Sequence, residues 1–148
     1  MTGTRDFKAD DMVQILKDGV REFGYAEITD DLIKLANLRE ENGQCITGLV
    51  NDVIIGCGGI DLLWEGVGEV WLFLSPDVAN FTVKSYRVIK KGLRKLIKDN
   101  NLIRTQAWGR VGFNDAHTLF RHLGFKPEGI ARKYAPDGAD CILYSIVE

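Results

Sequence analysis

The stretch of this chain best suited to chemistry is where an apolar run, Glu69-Val-Trp-Leu-Phe-Leu-Ser-Pro76, passes through residues 77–82 into a basic amphipathic segment at residues 83–97. A strand feeding a helix through a short loop can hold an anionic ligand, because the first amides of a helix have no intrahelical partners and face outward. Lys84, Arg87, Lys90, Lys91, Arg94, Lys95 and Lys98 lie mostly on the outer face of that helix. Such a face serves either as a solvated surface or as a seat for phosphate or an acidic partner. The other reactive residue types are dispersed. His117 and His122 fall five apart and do not share a helix face, which assigns each a surface or packing role. Cys45, Cys57 and Cys141 are odd in number, far apart and set in apolar runs, the pattern of buried reduced thiols rather than of disulfides or a metal site. Trp64, Trp71 and Trp108 read as core or cleft wall, since no basic groove alternates with them to stack bases.

The elements that must position these groups follow from periodicity. Met12, Ile15, Leu16, Val20 and Phe23 recur at helical spacing over residues 9–23, with Gly24 as the stop. Thr29 or Asp30 caps a second helix with Leu32, Leu35 and Ala36 as its apolar stripe, ended by Asn42-Gly43. From Cys45 the pattern turns to strands, broken by the hairpin dipeptide Asn51-Asp52 and again at residues 65–68, which gives a three-stranded antiparallel meander. Gly56, Gly58 and Gly59 in the middle strand predict a bulge or a backbone passing close by. In residues 83–97, Tyr86, Ile89, Leu93, Leu96 and Ile97 form one apolar face. Residues 104–108 then form a strand parallel to residues 70–74, because a helix of that length is what a parallel crossover requires. Ala116, Leu119, Phe120 and Leu123 mark a helix with Asn114 as cap and Gly124 past its end. Two last strands, near residues 125–134 and 140–147, are joined by Ala135-Pro-Asp-Gly138. The expected fold is α+β, with a mixed, mostly antiparallel sheet.

Composition sets the frame. The 148 residues suit one domain spanning 1–148, and 45% hydrophobic with 27% charged residues is ordinary for a soluble globular protein. A net charge of -2 gives no global reason to expect nucleic acid or an anionic membrane as partner. Residues 1–7 lack the apolar core of a signal peptide and no run approaches the ~20 apolar residues that span a bilayer, which points to the cytoplasm.

At Leu119-Phe-Arg-His-Leu-Gly-Phe125, followed by Lys126-Pro-Glu-Gly129, Arg132-Lys-Tyr134 and Asp140-Cys-Ile-Leu-Tyr144, the chain resembles the GNAT superfamily of acetyl-coenzyme A dependent N-acetyltransferases. It looks most like small GNAT-like proteins of tailed bacteriophages, some of which are virion components. The resemblance implies that residues 70–74 splay from residues 104–108 and that the gap admits the pantetheine arm of acetyl-CoA. Backbone groups of Leu72, Phe73 and Leu74 would hold the arm and polarise the thioester carbonyl. Amides of Thr82, Val83 and Lys84, with the Arg87 side chain, would take the pyrophosphate, while Asn114 and Phe120 would border the cofactor. The offset of Asn114 from Phe120 is one residue short of the common spacing, which favours a plain helix cap for Asn114. Glu69 stands near the place of a general-base glutamate, sharing a face with Trp71 and Phe73, or is a strand-end carboxylate; Asp61 is a poorer candidate.

Two departures from the family pattern bear on chemistry. The pyrophosphate loop of GNAT enzymes carries glycines, whereas the corresponding positions here are Ala79, Thr82 and Lys84. The usual general-acid tyrosine is replaced by Phe120, which leaves water, His117, His122 or Tyr134 to protonate the thiolate. The expected function is acetyl transfer from acetyl-CoA, without metal, to an amine on a small molecule or protein. The alternative is a GNAT-fold phage protein that has lost catalysis and serves in the virion or in host interaction. The C-terminal edge strands leave room for a homodimer or a phage protein partner.

Overall fold

The computed structural model describes residues 1–19 and 29–148. Its sheet has seven strands in the order β1-β2-β3-β4-β5-β7-β6, with β4 and β5 as the parallel pair. The chain divides into two compact units. The first comprises Met1–Ile60 and Trp71–Asp99, the second Asp61–Val70 and Asn100–Glu148, so strands β3 and β4 each contribute to both.

In the first unit, β1 (Gly3–Asp6) pairs antiparallel with β2 (Cys45–Val50). Sequence patterning did not predict β1, whose four residues Gly-Thr-Arg-Asp carry no apolar alternation. Helix α1 (Ala9–Asp18) ends at Gly19 with φ 94°, a left-handed value that glycine tolerates. It is shorter than the predicted residues 9–23, and Val20, Phe23 and Gly24 lie outside the described residues. Helix α2 (Asp30–Asn42) follows expectation: the Thr29 side chain accepts from the Leu32 amide, and Gly43 closes the helix at φ 69°. The β2–β3 hairpin turns on Asn51 and Asp52, both at positive φ (50° and 66°), before β3 (Val53–Trp64). The alternation of β2 splits its contacts between two helical layers. Cys45 packs with Met12, Ile15, Leu16 and Ala36 of α1 and α2, whereas Ile46 and Gly48 face α3 (Thr82–Asp99). A Cβ on Gly92 of α3 would lie 2.4 Å from Ile46 Cδ1, so glycine sets how closely helix and strand approach. The buried face of α3 is Ser85, Val88, Gly92, Leu93, Leu96 and Ile97. It therefore includes three small or β-branched residues that the predicted apolar stripe left out.

In the second unit, β4 (Val67–Leu74) begins after the Glu65-Gly66 turn and pairs with β5 (Arg104–Arg110) at Val67↔Arg104, Gly68↔Thr105 and Glu69↔Gln106. The expected parallel pairing exists, but its register falls on residues 67–69 rather than 70–74. Strand β5 also pairs along its whole length with β7 (Cys141–Val147), which carries β6 (Lys126–Ala131) at the sheet edge. Strand β6 is shorter than predicted because the chain turns at Arg132 and Lys133, the latter at φ 54°. Helix α4 (Asn114–Leu123) ends at Gly124 with φ 101° as expected. Its cap position, however, belongs to Phe113, which makes no side-chain capping bond, so Asn114 is the first helical residue and not the cap. All three cysteines are buried, and burial pushes the Cys57 thiol up, away from reactivity. Trp64 is 67% exposed, which overturns its assignment to the core or a cleft wall. Among the described residues no helix is long and apolar enough to cross a membrane.

Candidate functional site

Strand β5 reads Arg-Thr-Gln-Ala-Trp-Gly-Arg, and its burial alternates along the chain: Thr105, Ala107 and Gly109 are buried, while Arg104, Gln106, Trp108 and Arg110 are half-buried. Of the buried set, Gly109 faces α4. A Cβ on Gly109 would lie 2.8 Å from the His117 ring, and glycine at this position admits the imidazole. His117 Nε2 is 2.7 Å from the Arg110 carbonyl oxygen, which can only accept, so Nε2 carries the proton; in the neutral ring Nδ1 then accepts from the Tyr144 hydroxyl at 2.6 Å. Tyr144 is fully buried and its ring lies 5.2 Å from that of Phe120. The tyrosine beside Phe120 is thus committed to His117, and His117 has both nitrogens engaged. Neither serves as an accessible acid, and His117 takes the packing role.

The half-buried set of β5 faces the other way and meets Glu69. Gln106 Nε2 donates to Glu69 Oε1 at 3.1 Å, and the Trp108 indole N–H donates to the same oxygen at 2.9 Å. Gln106 Oε1 accepts from Arg104 Nε at 3.1 Å, and Arg104 grips Glu128 through both terminal nitrogens at 2.9 and 2.6 Å. Arg104, followed by the Ser145 hydroxyl, holds the Glu128 carboxyl down to about 2. Trp108 stacks on Tyr134 with ring centroids 4.2 Å apart and planes 18° apart, and Tyr134 is 53% exposed. Arg110 pairs with Asp137, closing the row, and holds that carboxyl below its ordinary value. Of the residues expected to be catalytic, the structure therefore brings Glu69 and Tyr134 to one side chain, Trp108, the first at its indole N–H and the second on its ring face. Sequence reasoning missed Gln106 and Trp108 as partners of Glu69. The available signal was the alternation of long polar and small residues along residues 104–110.

The residues expected to hold a cofactor lie in the first unit, apart from Asn114 and Phe120. The Ser75 amide donates to the Ile55 carbonyl of β3, and a Cβ on Gly58 or Gly56 would meet the carbonyl oxygens of Trp71 and Phe73 at 2.8 and 2.7 Å. Strand alternation then turns the backbone groups of Leu72 and Leu74 away from β3, leaving them the groups of β4 suited to a ligand, whereas the Phe73 carbonyl faces β3. The loop predicted at residues 77–82 is instead a 3-10 turn over Pro76–Asn80, opened by Ser75, whose Oγ accepts from the Asp77 amide at 3.2 Å. Val78 and Phe81 anchor it against Val50, Ile55 and Val88. The first backbone bond into α3 is Ser85 N–H to the Phe81 carbonyl at 2.8 Å, so the amides of Thr82, Val83 and Lys84 precede the helical ladder. These three residues and Arg87 are exposed. The donor set fits a diphosphate: backbone amides with two cations one turn apart, although Thr82 directs its hydroxyl to the Ala79 carbonyl (3.5 Å) and Asp77 adds a carboxylate to the loop. Asn114 is exposed at the start of α4, and Phe120 packs edge-on against Phe125.

No protein-family model matches the chain, and no curated protein sequence matches it. Solved structures do match. The acetyltransferase of the GNAT family from Bacillus anthracis aligns with a TM-score of 0.75 at 17% identity, covering 97% of this chain and 93% of its own. Salmonella typhimurium yncA, solved with its cofactor acetyl-CoA, gives a TM-score of 0.74 at 12% identity over 99% and 94% of the two chains. A mutant of spermidine N-acetyltransferase SpeG from Vibrio cholerae gives 0.72 at 17% identity over 97% and 94%. Identities this low carry the architecture and not the activity: this chain has the GNAT fold.

Proposed function

We propose that the chain is an acetyl-CoA-dependent N-acetyltransferase in which Glu69 accepts the proton of an acceptor amine. The observation that carries this reading is the state of the Glu69 carboxylate. It stands at the last rung of the parallel ladder with two donors on one oxygen, and among the described residues none bonds the other. When bound, acetyl-CoA supplies the acetyl group as a thioester. In the first unit, the amides of Thr82, Val83 and Lys84 with the cations of Lys84 and Arg87 suit its phosphates, and the backbone groups of Leu72 and Leu74 suit its arm. In the second unit, Glu69 Oε2 takes the proton that the amine must lose before it attacks. The Trp108–Tyr134 stack offers an aromatic wall to the cationic form of that amine. Tyr134 holds the exposed hydroxyl that returns a proton to the departing thiolate.

A second reading has an observation of its own. A loop without either glycine, carrying Asp77 and packed by Val78 and Phe81, also suits a GNAT-fold protein that has lost its cofactor, such as a virion or host-interaction component of a tailed phage. The proposed location is the cytoplasm, or a phage host's, with the virion as the alternative on the second reading, and the exposed edge strand β6 is the proposed contact with a second copy or a phage partner.

Isothermal titration calorimetry with acetyl-CoA separates the two. Saturable binding, followed by thiol release on adding amines and peptides, is the expected result. No binding at millimolar cofactor would eliminate the enzyme and leave the second reading.

A further inference from the structure

We infer that Gln106 and Trp108 are positioning residues for Glu69, fixing its carboxylate so that Oε2 alone is presented to the acceptor; this rests on the acetyltransferase reading above. The argument starts from donor and acceptor identity. Indole N–H only donates, and guanidinium only donates. Because Arg104 Nε–H points at Gln106 Oε1, the amide of Gln106 can lie only one way round, with its NH₂ toward Glu69. A flipped amide would set its carbonyl against a carboxylate and its NH₂ against a guanidinium. Arg104 is itself immobilised by the two-point contact with Glu128, which also accepts from Ser145 at 2.7 Å. The series Ser145, Glu128, Arg104, Gln106, Glu69 therefore runs across β7, β6, β5 and β4 with each donor and acceptor assigned.

Trp108 is the second donor. Its ring plane is fixed by the stack on Tyr134, and its N–H reaches the same Glu69 oxygen that Gln106 does. Two charge-assisted bonds use the lone pairs of Oε1 and stop rotation of the carboxylate. Glu69 sits directly opposite Gln106 in the ladder, so the geometry is built into strand register and does not depend on a loop. Sharing one oxygen between two donors, where two oxygens were available, is what a group needs if its second oxygen is to meet a proton in a constant direction.

The test uses the full chain and two readouts. In steady-state acetyl transfer, Trp108→Phe, which keeps the stack and removes the donor, and Gln106→Met should each lower kcat about tenfold while KM for acetyl-CoA stays within about twofold. Introduced into Glu69→Gln, the same changes should cost less than about twofold more, because they act through Glu69. The second readout needs no turnover. The Trp108 indole N–H resonance, identified by its loss in Trp108→Phe, should move upfield in Glu69→Gln and again, by less, in Gln106→Met. An indole signal indifferent to Glu69→Gln, or full additivity of the rate losses, would overturn the positioning role whatever the enzyme does. A responsive indole with no acetyl transfer by the unaltered chain would instead remove the acetyltransferase reading on which the role in catalysis rests.

Discussion

Two carboxylates, one in each unit, put the same chemical group to opposite uses. Asp11 on α1 has both oxygens occupied: Arg5 takes them pairwise at 2.8 and 2.9 Å, and the Thr47 hydroxyl and Lys8 amide add bonds to Oδ2 at 2.7 and 3.0 Å. Its residue is 7% exposed, and the cluster joins β1, α1 and β2. Glu69 has two neutral donors, Gln106 and Trp108, and both of them converge on Oε1. A carboxylate satisfied at every position is a structural joint, since a ligand would have to displace a bond already made. A carboxylate bonded at one oxygen is oriented by that oxygen and leaves the other open to a ligand. Number and distribution of donors both separate the two: four bonds spread over both oxygens at Asp11, two on a single oxygen at Glu69.

The largest effect should come from removing the open oxygen. Glu69→Gln keeps an acceptor for Gln106 and Trp108 but cannot take a proton, so kcat should fall about a hundredfold, within the range for loss of a positioned base. Thermal unfolding should hardly move. A loss of less than tenfold, measured across several amines, would return Glu69 to the role of a strand-end carboxylate.

The converse substitution should invert the pattern. Asp11→Asn leaves the Arg5 charge beside a neutral amide in a half-buried site. Full burial of such a broken pair costs about 3–5 kcal/mol, and the partial exposure of Arg5 reduces this to about 2–3 kcal/mol of folding stability. The rate per folded molecule should be unchanged. Burial pushes the Asp11 carboxyl up, but bonds from Arg5, Thr47 and the Lys8 backbone, with the Arg5 charge, outweigh it and hold it below its ordinary value. A lowered value in the folded state means that the unfolded chain binds the extra proton first. The stabilisation is complete above the unfolded value, near pH ~4, and is lost as pH falls through the folded one. Urea midpoints measured from pH 6 downward should therefore drop more steeply below about pH 4 in the unaltered chain than in Asp11→Asn. Parallel curves would deny Asp11 this part in stability.

Much of the frame was legible because its signals are local. Thr29 and Gly43 cap α2, Asn51-Asp52 turns the hairpin, Gly124 ends α4, and the three glycines of β3 mark where neighbouring backbone comes within reach of a Cβ. What escaped depended on register or on contacts across the chain. Strand β1 is too short and polar to announce itself and exists because β2 offers it an edge. The partners of Glu69 lie 37 and 39 positions away, and only the pairing of Glu69 with Gln106 brings them to it. The 3-10 turn at Pro76–Asn80 is set by how Val78 and Phe81 pack, which no period in the sequence reveals. The same distinction explains why Glu69 was a candidate from its place in the family pattern while Trp108, its donor, read as core or cleft wall.

The smallest expected effect probes the first unit's side of the chemistry, where Lys84 and Arg87 are exposed. Lys84 and Arg87 stand one turn apart on an exposed helix face, so on the proposed reading each would meet a phosphate through water-screened charge and not through a fixed bond. Lys84→Ala should weaken acetyl-CoA binding only about threefold at low salt, consistent with the ~0.2–1 kcal/mol of an exposed ion pair. That loss should shrink toward nothing by about 0.5 M salt, where the screening length is far shorter than at 0.1 M. The backbone amides of Thr82, Val83 and Lys84 remain in the variant, and they set the affinity that is left. Calorimetry of both proteins at two salt concentrations reads the difference directly. A Kd unmoved by Lys84→Ala at either salt would mean that the phosphates do not lie at the start of α3, and the pyrophosphate reading of residues 77–84 would have to be given up while Glu69 stood untouched.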